Sequence, residues 1–360
     1  MKILFIVNAL NYGGAERVCS ELASYFSKLH NVSILITSKK QNEVYSTGRA
    51  RIDYINNGKF VLPLFKTYLC YKWMKINKPD VVIAFPDPCS FYGSIPAKKL
   101  HIPCICSERN APMYEPQNKI MRIMRLIAYR KASAIVFQTH AALNWFPNYI
   151  KRKGVVIWNP YEHKNTFINQ NKENIDALVT VGRITPQKNH TLLIKAFKKF
   201  NEHFPKTYLH IFGSGAPKDV KKLKDTILEY KMDKMIILKG FSSNLKDELI
   251  KYPVFVMSSN YEGMPNALIE ASISGLSCVS TDCPVGGPHE ILCNCSAHYL
   301  VPCNNPEALS KAMIDAYQNR NKNRDSIYKY ATLLSKKTSI REIANKWLEL
   351  IGEITIKYNK

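Results

Sequence analysis

Residues 260–275 read NYEGMPNALIEASISG and place two glutamates, Glu262 and Glu270, around the start of a helix. Pro265 suits the first turn of a helix, and Gly275 suits the position just beyond its end. On one continuous helix the two carboxylates would lie about 12 Å apart along the axis. With Glu262 in the entering loop and Glu270 about one turn inside the helix, both can instead reach one ligand above the helix N-terminus.

The backbone at this helix start adds a second kind of contact. The N–H groups of Asn266, Ala267 and Leu268 would point toward the same ligand, and such a terminus binds phosphate readily. Hydroxyl groups would suit the carboxylates, and phosphates would suit the amides. The stretch therefore predicts a sugar nucleotide as the ligand.

The rest of the chain alternates between short apolar runs and helical patterns, which predicts βαβ units and parallel sheets. The 360 residues, 46% of them hydrophobic, are enough for two globular domains. We expect two doubly wound α/β domains facing across a cleft, with ligands at the carboxyl ends of the strands. The boundaries predicted are residues 1–160, a polar linker at 161–176, a second domain at 177–338 and a closing amphipathic helix at 339–360.

The alternating pattern predicts ten strands and six helices. The predicted strands are Lys2–Val7, Asn31–Thr37, Pro79–Phe85, Cys104–Ser107, Ala134–Phe137, Leu178–Gly182, Thr207–Phe212, Met235–Leu238, Val254–Met257 and Ser277–Ser280. The predicted helices are Ala15–Leu29, Asn189–Phe200, Pro217–Tyr230, Leu245–Tyr252, Pro306–Tyr317 and Ile340–Ile356.

Cellular location is predicted from the apolar segments and the cysteines. The apolar run Ile3–Val7 is too short for a signal peptide, and no stretch approaches the roughly 18 apolar residues of a spanning helix. The ten cysteines include the pairs Cys104/Cys106 and Cys293/Cys295. Zinc or disulfide chemistry is one interpretation of these pairs, and reduced structural thiols are the simpler one. We expect a cytoplasmic protein.

The net charge of +23 is unevenly distributed along the chain. Residues 1–160 hold 23 Lys and Arg against 8 Asp and Glu, whereas the remaining 200 hold 28 against 20. A basic first half indicates an anionic partner, such as nucleic acid, a phospholipid surface or an anionic acceptor. Ordinary solubility is the alternative explanation.

The basic residues are concentrated in residues 119–131, KIMRIMRLIAYRK. At helical spacing, Lys119, Arg122, Arg125 and Arg130 form a basic stripe beside a broad apolar one. This pattern is typical of a helix in a membrane interface. It is equally typical of a half-buried helix whose long cationic side chains extend over the core.

Three glycine-containing loops follow predicted strands. The loop GRITPQKN at 182–189 carries Arg183 and Lys188, two cations able to neutralise a diphosphate leaving group. The chain contains no Asp-x-Asp of the type that holds manganese beside a nucleotide, so we expect a site without metal or cofactor. Gly13 and Gly14 in the first loop, and Gly213 in FGSGAP at 212–217, are consistent either with a close approach to phosphate or with simple tight turns.

Taken together, these residues resemble family 4 glycosyltransferases over nearly the whole chain. The matching features stand in the family's order: Gly182-Arg183…Lys188, Gly213-Ser-Gly215, Gly240-Phe241, the Glu262…Glu270 block and CPVGGPHE at 283–290, with the Gly13-Gly14 loop and Asn159-Pro160. The resemblance implies a GT-B fold, with two Rossmann-like domains and a C-terminal helix crossing back to the first. It also implies metal-independent transfer with retention of anomeric configuration.

The resemblance further implies roles for individual residues. Arg183 and Lys188 would hold the diphosphate, and the Gly13-Gly14 loop would close over it. Glu262 would face the hydroxyls of the donor sugar, and Glu270 those of the ribose. The other implied donor contacts are Gly182, Gly213, the Gly240-Phe241 backbone near the base, and Met264 to Leu268.

One position departs from the family pattern. Many relatives have a histidine near the donor in the first domain, where this chain reads CSERN at 106–110. Arg109 then stands in place of the histidine and is expected to contact the donor sugar or an acceptor phosphate. The alternative is a surface arginine.

The resemblance suggests a UDP-hexose or UDP-N-acetylhexosamine donor and a polyprenyl-diphosphate-linked glycan acceptor, used in bacterial surface-polysaccharide synthesis. Such an acceptor would place the protein at the anionic inner leaflet of the cell membrane, as a peripheral protein. A sugar-nucleotide epimerase of the same fold and a nucleic-acid binder are the alternatives. The second is disfavoured because no zinc finger, RNP-like motif or basic arm is present.

Overall fold

The computed structural model describes residues 1–11, 13–38, 45–55, 62–161, 175–242 and 244–358. The chain divides into two compact units: Met1–Pro160 with Thr338–Lys360 (unit 1), and Tyr161–Lys337 (unit 2). Most of the predicted linker, residues 162–174, lies outside the described residues.

Unit 1 is built on a parallel sheet in the order β3-β2-β1-β4-β5-β6-β7. Its elements are β1 (Lys2–Val7), α1 (Gly14–Phe26), β2 (Asn31–Ile36), β3 (Arg51–Tyr54), α2 (Pro63–Asn77), β4 (Val81–Phe85), α3 (Cys89–Lys99), β5 (Cys104–Ser107), α4 (Lys119–Lys131), β6 (Ala134–Phe137), α5 (His140–Trp145), α6 (Asn148–Lys151), β7 (Gly154–Val156) and, at the chain end, α14 (Ile340–Tyr358).

Unit 2 has a second parallel sheet, in the order β10-β9-β8-β11-β12-β13. Its elements are β8 (Ala177–Val181), α7 (His190–His203), β9 (Tyr208–Phe212), α8 (Pro217–Glu229), β10 (Ile236–Gly240), α9 (Leu245–Leu249), β11 (Val254–Met257), α10 (Asn266–Ile273), β12 (Ser277–Thr281), α11 (Gly287–Leu292), β13 (Tyr299–Val301), α12 (Pro306–Gln318) and α13 (Arg324–Thr338). A one-turn 3₁₀ helix, Pro186–Lys188, precedes α7.

These sheets confirm the predicted fold class, two parallel α/β units of Rossmann type. The central strands are continuous apolar runs because they are covered on both faces, as in KILFIV of β1, where all but Lys2 are buried. In each sheet the strand order reverses once, between β1 and β4 and between β8 and β11. Ligands of doubly wound sheets bind at such switch points, beyond the carboxyl ends of the strands.

Several elements were not predicted from the sequence. Strands β7 and β13 have only three residues, and β3 (RIDY) lacks the continuous apolar run that marks the predicted strands. Helix α3 carries Gly93 and Pro96 in its interior, residues that argue against a helix on local grounds. The predicted helix Leu245–Tyr252 is shorter, ending at Leu249.

Helix α14 packs within unit 1. Its Trp347 is fully buried and stacks on Phe85 at the end of β4, with ring centroids 5.6 Å apart. The helix therefore supports the carboxyl end of the sheet, where the first-unit candidate residues lie.

Helix α4 does not keep the four predicted basic residues on one accessible stripe. Arg125 is only 2% exposed, because its guanidinium bonds to the carboxylate of Glu108 at 3.1 Å. The side exposed to solvent instead carries Ile120, Ile123 and Ile127, which are 67%, 57% and 41% exposed. The helix is thus anchored through a buried arginine and presents isoleucines outward.

Two general features follow from the described residues. All ten cysteines are free, and of these only Cys293 is exposed, which agrees with structural thiols. Within the ranges that the structure describes, no helix is long and apolar enough to cross a membrane.

Candidate functional site

The switch point of unit 2 brings two predicted site segments together. The loop after β8 carries Gly182, Arg183 and Lys188, and the loop after β11 carries Glu262. Since β8 and β11 are neighbours in the sheet, these loops leave the same edge side by side. The topology thus joins residues that are 74 positions apart in the chain.

Lys188 and Glu262 make the central contact of this edge. The Lys188 ammonium donates to Oε1 of Glu262 at 2.6 Å, and the Ser259 hydroxyl donates to the same oxygen at 2.6 Å. The two charged side chains are mostly buried, with 17% of the lysine and 8% of the glutamate side chain exposed. The lysine predicted to hold phosphate therefore lies in direct contact with the carboxylate predicted to hold sugar hydroxyls.

A hydrogen-bond network fixes the two loops to each other. The Asn260 N–H donates to the Gln187 carbonyl at 2.8 Å, and the Gln187 amide donates to the Tyr261 carbonyl at 2.9 Å. The Ser258 hydroxyl donates to the Lys188 carbonyl at 2.9 Å. Because these bonds hold the main chain on both sides, the Lys188–Glu262 pair sits on a rigid base.

Three predicted glycines meet at the same edge. The Gly182 N–H donates to the Phe212 carbonyl at 3.0 Å, and the Gly213 N–H donates to the Gly240 carbonyl at 2.8 Å. Gly213 has a φ of +142°, and a Cβ there would lie 1.8 Å from the Gly182 carbonyl oxygen. The strand ends approach this closely only because side chains are absent. The stem of Lys188 runs over Gly182, 3.2 Å from the position of a Cβ.

Helix α10 begins beside this pair, with Pro265 as its N-cap residue rather than in its first turn. Met264, Pro265 and Glu270 are buried, whereas Asn266 and Ala267 are half-buried. The Leu268 N–H donates to the Pro265 carbonyl at 3.1 Å, so the prediction that this third amide points to a ligand is wrong. The first two residues of the helix remain as candidates for phosphate contact.

The remaining candidates of unit 2 are exposed. Arg183 is exposed and has no ion-pair partner among the described residues. The Phe241 ring is 63% exposed, just after Gly240 at the end of β10. Both side chains are accessible to a ligand at this edge of the sheet.

In unit 1, the Gly13-Gly14 segment lies at the start of α1. Gly13 is the N-cap residue, and as a glycine it has no side chain with which to cap the helix. A Cβ at Gly13 would lie 1.9 Å from a carboxylate oxygen of Glu16, so that carboxylate folds back over the helix start. A carboxylate in the first turn is favourable for the helix dipole. It also means that an anion approaching Gly13 would meet a negative charge.

Arg109 is buried, which rules out the interpretation as a surface residue. It is 8% exposed, and its guanidinium donates to the Ser107 hydroxyl and to the Asn159 side-chain oxygen, each at 2.6 Å. The guanidinium lies 4.6 Å from the centre of the Phe85 ring. One nitrogen, Nη2, is buried without a hydrogen-bond partner among the described residues.

The neighbouring Glu108 belongs to a separate buried cluster. It accepts from Arg125 and from the Tyr129 hydroxyl, each at 3.1 Å, and Asp87 lies 3.9 Å from the same arginine. Burial raises the pKa of Glu108, and burial together with the Glu108 charge raises the pKa of Asp87. Two carboxyl groups around one arginine thus anchor the loops after β4 and β5.

Comparisons with known proteins place the chain in a family. Residues 12–164 match the model described as Glycosyltransferase Family 4, and residues 162–333 match Glycosyl transferases group 1. Together the two matches span nearly the whole chain. The chain belongs to the family 4 glycosyltransferases.

Individual relatives agree with this placement. A Campylobacter jejuni enzyme named as the alpha-1,4-N-acetyl-D-galactosaminyltransferase of GalNAc-GalNAc-diNAcBac-PP-undecaprenol is 27% identical, over 98% of this chain and 99% of that one. An Escherichia coli UDP-Gal:alpha-D-GlcNAc-diphosphoundecaprenol alpha-1,3-galactosyltransferase is 23% identical, over 68% of each chain. Among solved structures, Anabaena HepE in complex with UDP and glucose superposes with a TM-score of 0.80 at 16% identity, over 98% of this chain and 100% of that one. That likeness shows the GT-B fold.

Protonation near the site of this glycosyltransferase follows from burial. Burial and the nearby Lys188 charge lower the pKa of His190 to about 4, so this imidazole is neutral at pH 7. Burial, with the Glu262 carboxylate, raises the pKa of the Cys283 thiol. The His190 imidazole and the Cys283 thiol therefore add no charge to this edge of the unit 2 sheet at pH 7.

Several residues at this edge were not singled out from the sequence of the glycosyltransferase. The Lys188–Glu262 pair is held in place by Ser259, Gln187 and Asn260. The sequence carried no local signal for the Ser259–Glu262 contact, because the capping-box spacing predicts bonds to backbone N–H groups rather than a bond between the two side chains. Among the residues that the structure describes, no group of three or more His, Cys, Asp or Glu could hold a metal ion.

Proposed function

We propose that this glycosyltransferase moves a hexose or N-acetylhexosamine from a UDP-sugar to a polyprenyl-diphosphate-linked glycan, with retention of configuration. The product would be an intermediate of a capsule, an O-antigen or an exopolysaccharide. The observation that carries the proposal is the Lys188–Glu262 contact of 2.6 Å at the switch point of unit 2, beside three strand-end glycines.

The chemistry follows from where charge develops during transfer. As the bond between the sugar C1 and the diphosphate oxygen breaks, the diphosphate gains negative charge. Arg183 and Lys188 would stabilise that charge more strongly in the transition state than in the bound donor. The acceptor hydroxyl oxygen forms the new bond to C1, and its proton passes to the departing phosphate oxygen. In this scheme the two cations act without a metal or cofactor.

The other residues would orient the donor. Glu262 would accept hydrogen bonds from the sugar hydroxyls, and Glu270 from the ribose. The N–H groups of Asn266 and Ala267 would face the phosphates. A lysine ammonium has three donor hydrogens, so Lys188 can keep its bond to Glu262 while it binds phosphate.

The acceptor and the location are proposed from chemistry and from the names of relatives. Two relatives act, by name, on undecaprenyl-diphosphate-linked sugars. An acceptor of this kind would place the enzyme in the cytoplasm at the inner leaflet. The isoleucines exposed on α4, flanked by Lys119 and Arg130, have the composition of a helix that lies in an anionic interface.

The first test is nucleotide release from a panel of UDP- and GDP-sugars in the presence of EDTA, with and without a polyprenyl-diphosphate-linked sugar. Lys188→Ala and Glu262→Ala are compared with Lys251→Ala, which removes a matched lysine from the Lys251–Glu248 pair (2.8 Å) elsewhere in unit 2. We expect acceptor-stimulated release from a UDP-sugar, lost in the first two variants and kept in the third. The anomeric configuration of the product, measured by NMR, tests retention.

Other outcomes would redirect the proposal. Turnover of the donor sugar without any acceptor would favour the epimerase. Loss of activity with EDTA, restored by a divalent cation, would contradict a mechanism based on cations of the protein. Salt-sensitive DNA binding without donor affinity would favour a nucleic-acid binder.

A further inference from the structure

A basic pocket lies at the opposite edge of the unit 1 sheet from Arg109. It is a cavity of about 280 Å³, and its walls come from the residues just before β6, the residue before β7 and the ends of α3, α4 and α14. All strands of the sheet are parallel, so the pocket lies at their amino ends. The strand β6 between the two edges is four residues long, or about 13 Å.

The charge of this pocket is one-sided. Five of its lining side chains are cationic: Lys98, Arg130, Lys131, Lys153 and Lys357. Among the described residues that line it, none is acidic. Arg130, Lys131 and Lys357 have no ion-pair partner within the described part of the chain. Five like charges around one small cavity repel one another and attract an anion.

Helix capping explains only one of these cations. Lys153 donates to the carbonyls of Arg130 and Ala132, at 3.0 and 2.9 Å, and so satisfies the end of α4. Burial, together with the charge of Lys98, lowers the pKa of Lys153. The Lys98 ammonium lies 5.6 Å from the centre of the Tyr358 ring, which forms one wall. Four cations therefore remain for a ligand.

We infer that this pocket binds a phosphate group, carried either by a small soluble molecule or by a lipid headgroup. Ligand pockets usually enclose roughly 300–1,000 Å³, so this cavity suits a single compact group. Lysine and arginine side chains are the usual partners of phosphate oxygens. The site is separate from the candidate residues at the carboxyl ends, and the inference does not depend on the proposed transfer reaction.

The test is lysine footprinting, in which acetylation rates are read by mass spectrometry. The probes are sodium pyrophosphate, glycerol 3-phosphate, and vesicles of phosphatidylcholine with and without phosphatidylglycerol, each against sodium chloride at equal ionic strength. Lys98, Lys131 and Lys357 report on the pocket, and the exposed Lys218, Lys222 and Lys224 of α8 serve as references. At a ligand concentration of ten times Kd we expect about tenfold slower acetylation in the pocket alone.

A pair of variants controls for general charge effects. Lys98→Gln/Lys131→Gln/Lys357→Gln should lose binding of the protecting probe, whereas Lys218→Gln/Lys222→Gln/Lys224→Gln, with the same change of net charge, should keep it. Both variants retain Lys188, so phosphate bound at the donor site contributes equally to each.

The outcomes distinguish the sources of phosphate. Protection by the soluble phosphates supports a small-molecule ligand, and protection only by vesicles with phosphatidylglycerol supports a headgroup. The inference is overturned if no probe protects the three lysines, if the reference lysines are protected equally, or if both triple variants bind alike.

Discussion

The charged pairs at the carboxyl edges of the two sheets differ in how far they are exposed to solvent. In unit 1, Glu108 and Arg125 are each 2% exposed and bonded at 3.1 Å. In unit 2, the Lys188–Glu262 contact is shorter, at 2.6 Å, but 17% of the lysine side chain is exposed and Arg183 is exposed beside it. The first edge uses charge to hold its own loops, whereas the second keeps charge accessible.

This difference indicates how stability and function are divided between the units. A buried charge that loses its partner is strongly destabilising, because neither water nor another ion replaces the partner. A cation that keeps a solvent-accessible side, as Lys188 does, can exchange one anionic partner for another at lower cost. The unit 1 pair should therefore matter for folding, and the unit 2 pair for activity.

The largest expected effect is on stability, from Arg125→Met. The change leaves Glu108 and Asp87 buried without their cation, and should lower the free energy of unfolding by about 3–5 kcal/mol at pH 7. The exposed Arg130 of the same helix is the control. Arg130→Met should change the free energy of unfolding by less than about 0.5 kcal/mol. Urea unfolding followed by circular dichroism measures both, and equal effects would remove the distinction between the two edges.

The next effect is on activity, from Lys188→Ala. Loss of one transition-state cation should lower kcat by about 10²–10³-fold. The free energy of unfolding should fall by about 1–3 kcal/mol, less than for Arg125→Met, because Ser259 still donates to the Glu262 carboxylate. Enzyme kinetics measure the loss of kcat, and urea unfolding measures the change in stability, with Lys251→Ala as the control in both. An inactive variant that is also as unstable as Arg125→Met would show a structural role instead.

A smaller effect on stability is expected from Gly213→Ala. The φ of +142° and the 1.8 Å approach to the Gly182 carbonyl leave no room for a methyl group. We expect a loss of about 1–3 kcal/mol, with weaker donor binding because the strand ends separate. The control is Gly352→Ala in α14, where a Cβ meets nothing within 4 Å and should stabilise by about 0.5–1 kcal/mol. Thermal unfolding measures the stability of both variants, and nucleotide titration measures donor binding. A Gly213→Ala variant as stable as Gly352→Ala would show that the strand ends have room for a methyl group.

The smallest expected effect is a difference between the two units in how their stability changes with pH. In unit 2, burial lowers the pKa of His190 and of His298 to about 4. The unfolded chain then takes up these protons first, so the stability of unit 2 falls as the pH falls from about 6.5 toward 4. At pH 5.5 the loss is about 1 kcal/mol for each histidine.

Unit 1 should respond to acid with the opposite sign. Burial raises the pKa of Asp87 and Glu108, so their contribution to stability grows as the pH falls through the raised values. Hydrogen exchange followed by mass spectrometry at pH 7 and pH 5.5, corrected for intrinsic rates, should show protection lost first from β8 to β13. Earlier loss from unit 1 would contradict the comparison.

Local sequence was sufficient for elements with a long or continuous pattern. Strands β1, β5, β6 and β11 begin and end where the apolar runs predict, because a strand buried on both faces carries its signal in its own residues. The fold class followed from their alternation with helices. Short strands such as β13, and α3 with its internal proline, are set by what packs against them.

The candidate site shows the same division. The sequence alone identified Lys188 and Glu262 as loop residues with the right chemistry, but their contact depends on β8 and β11 being neighbours in the sheet. Helical spacing grouped Arg125 with the other cations of α4 in one basic stripe, whereas the bond to Glu108 of a different segment holds it in the interior. Periodicity reports which residues share a face of one element. Only the tertiary structure decides which charge from another element lies opposite that face, and so whether the charge stabilises the fold or remains available to a ligand.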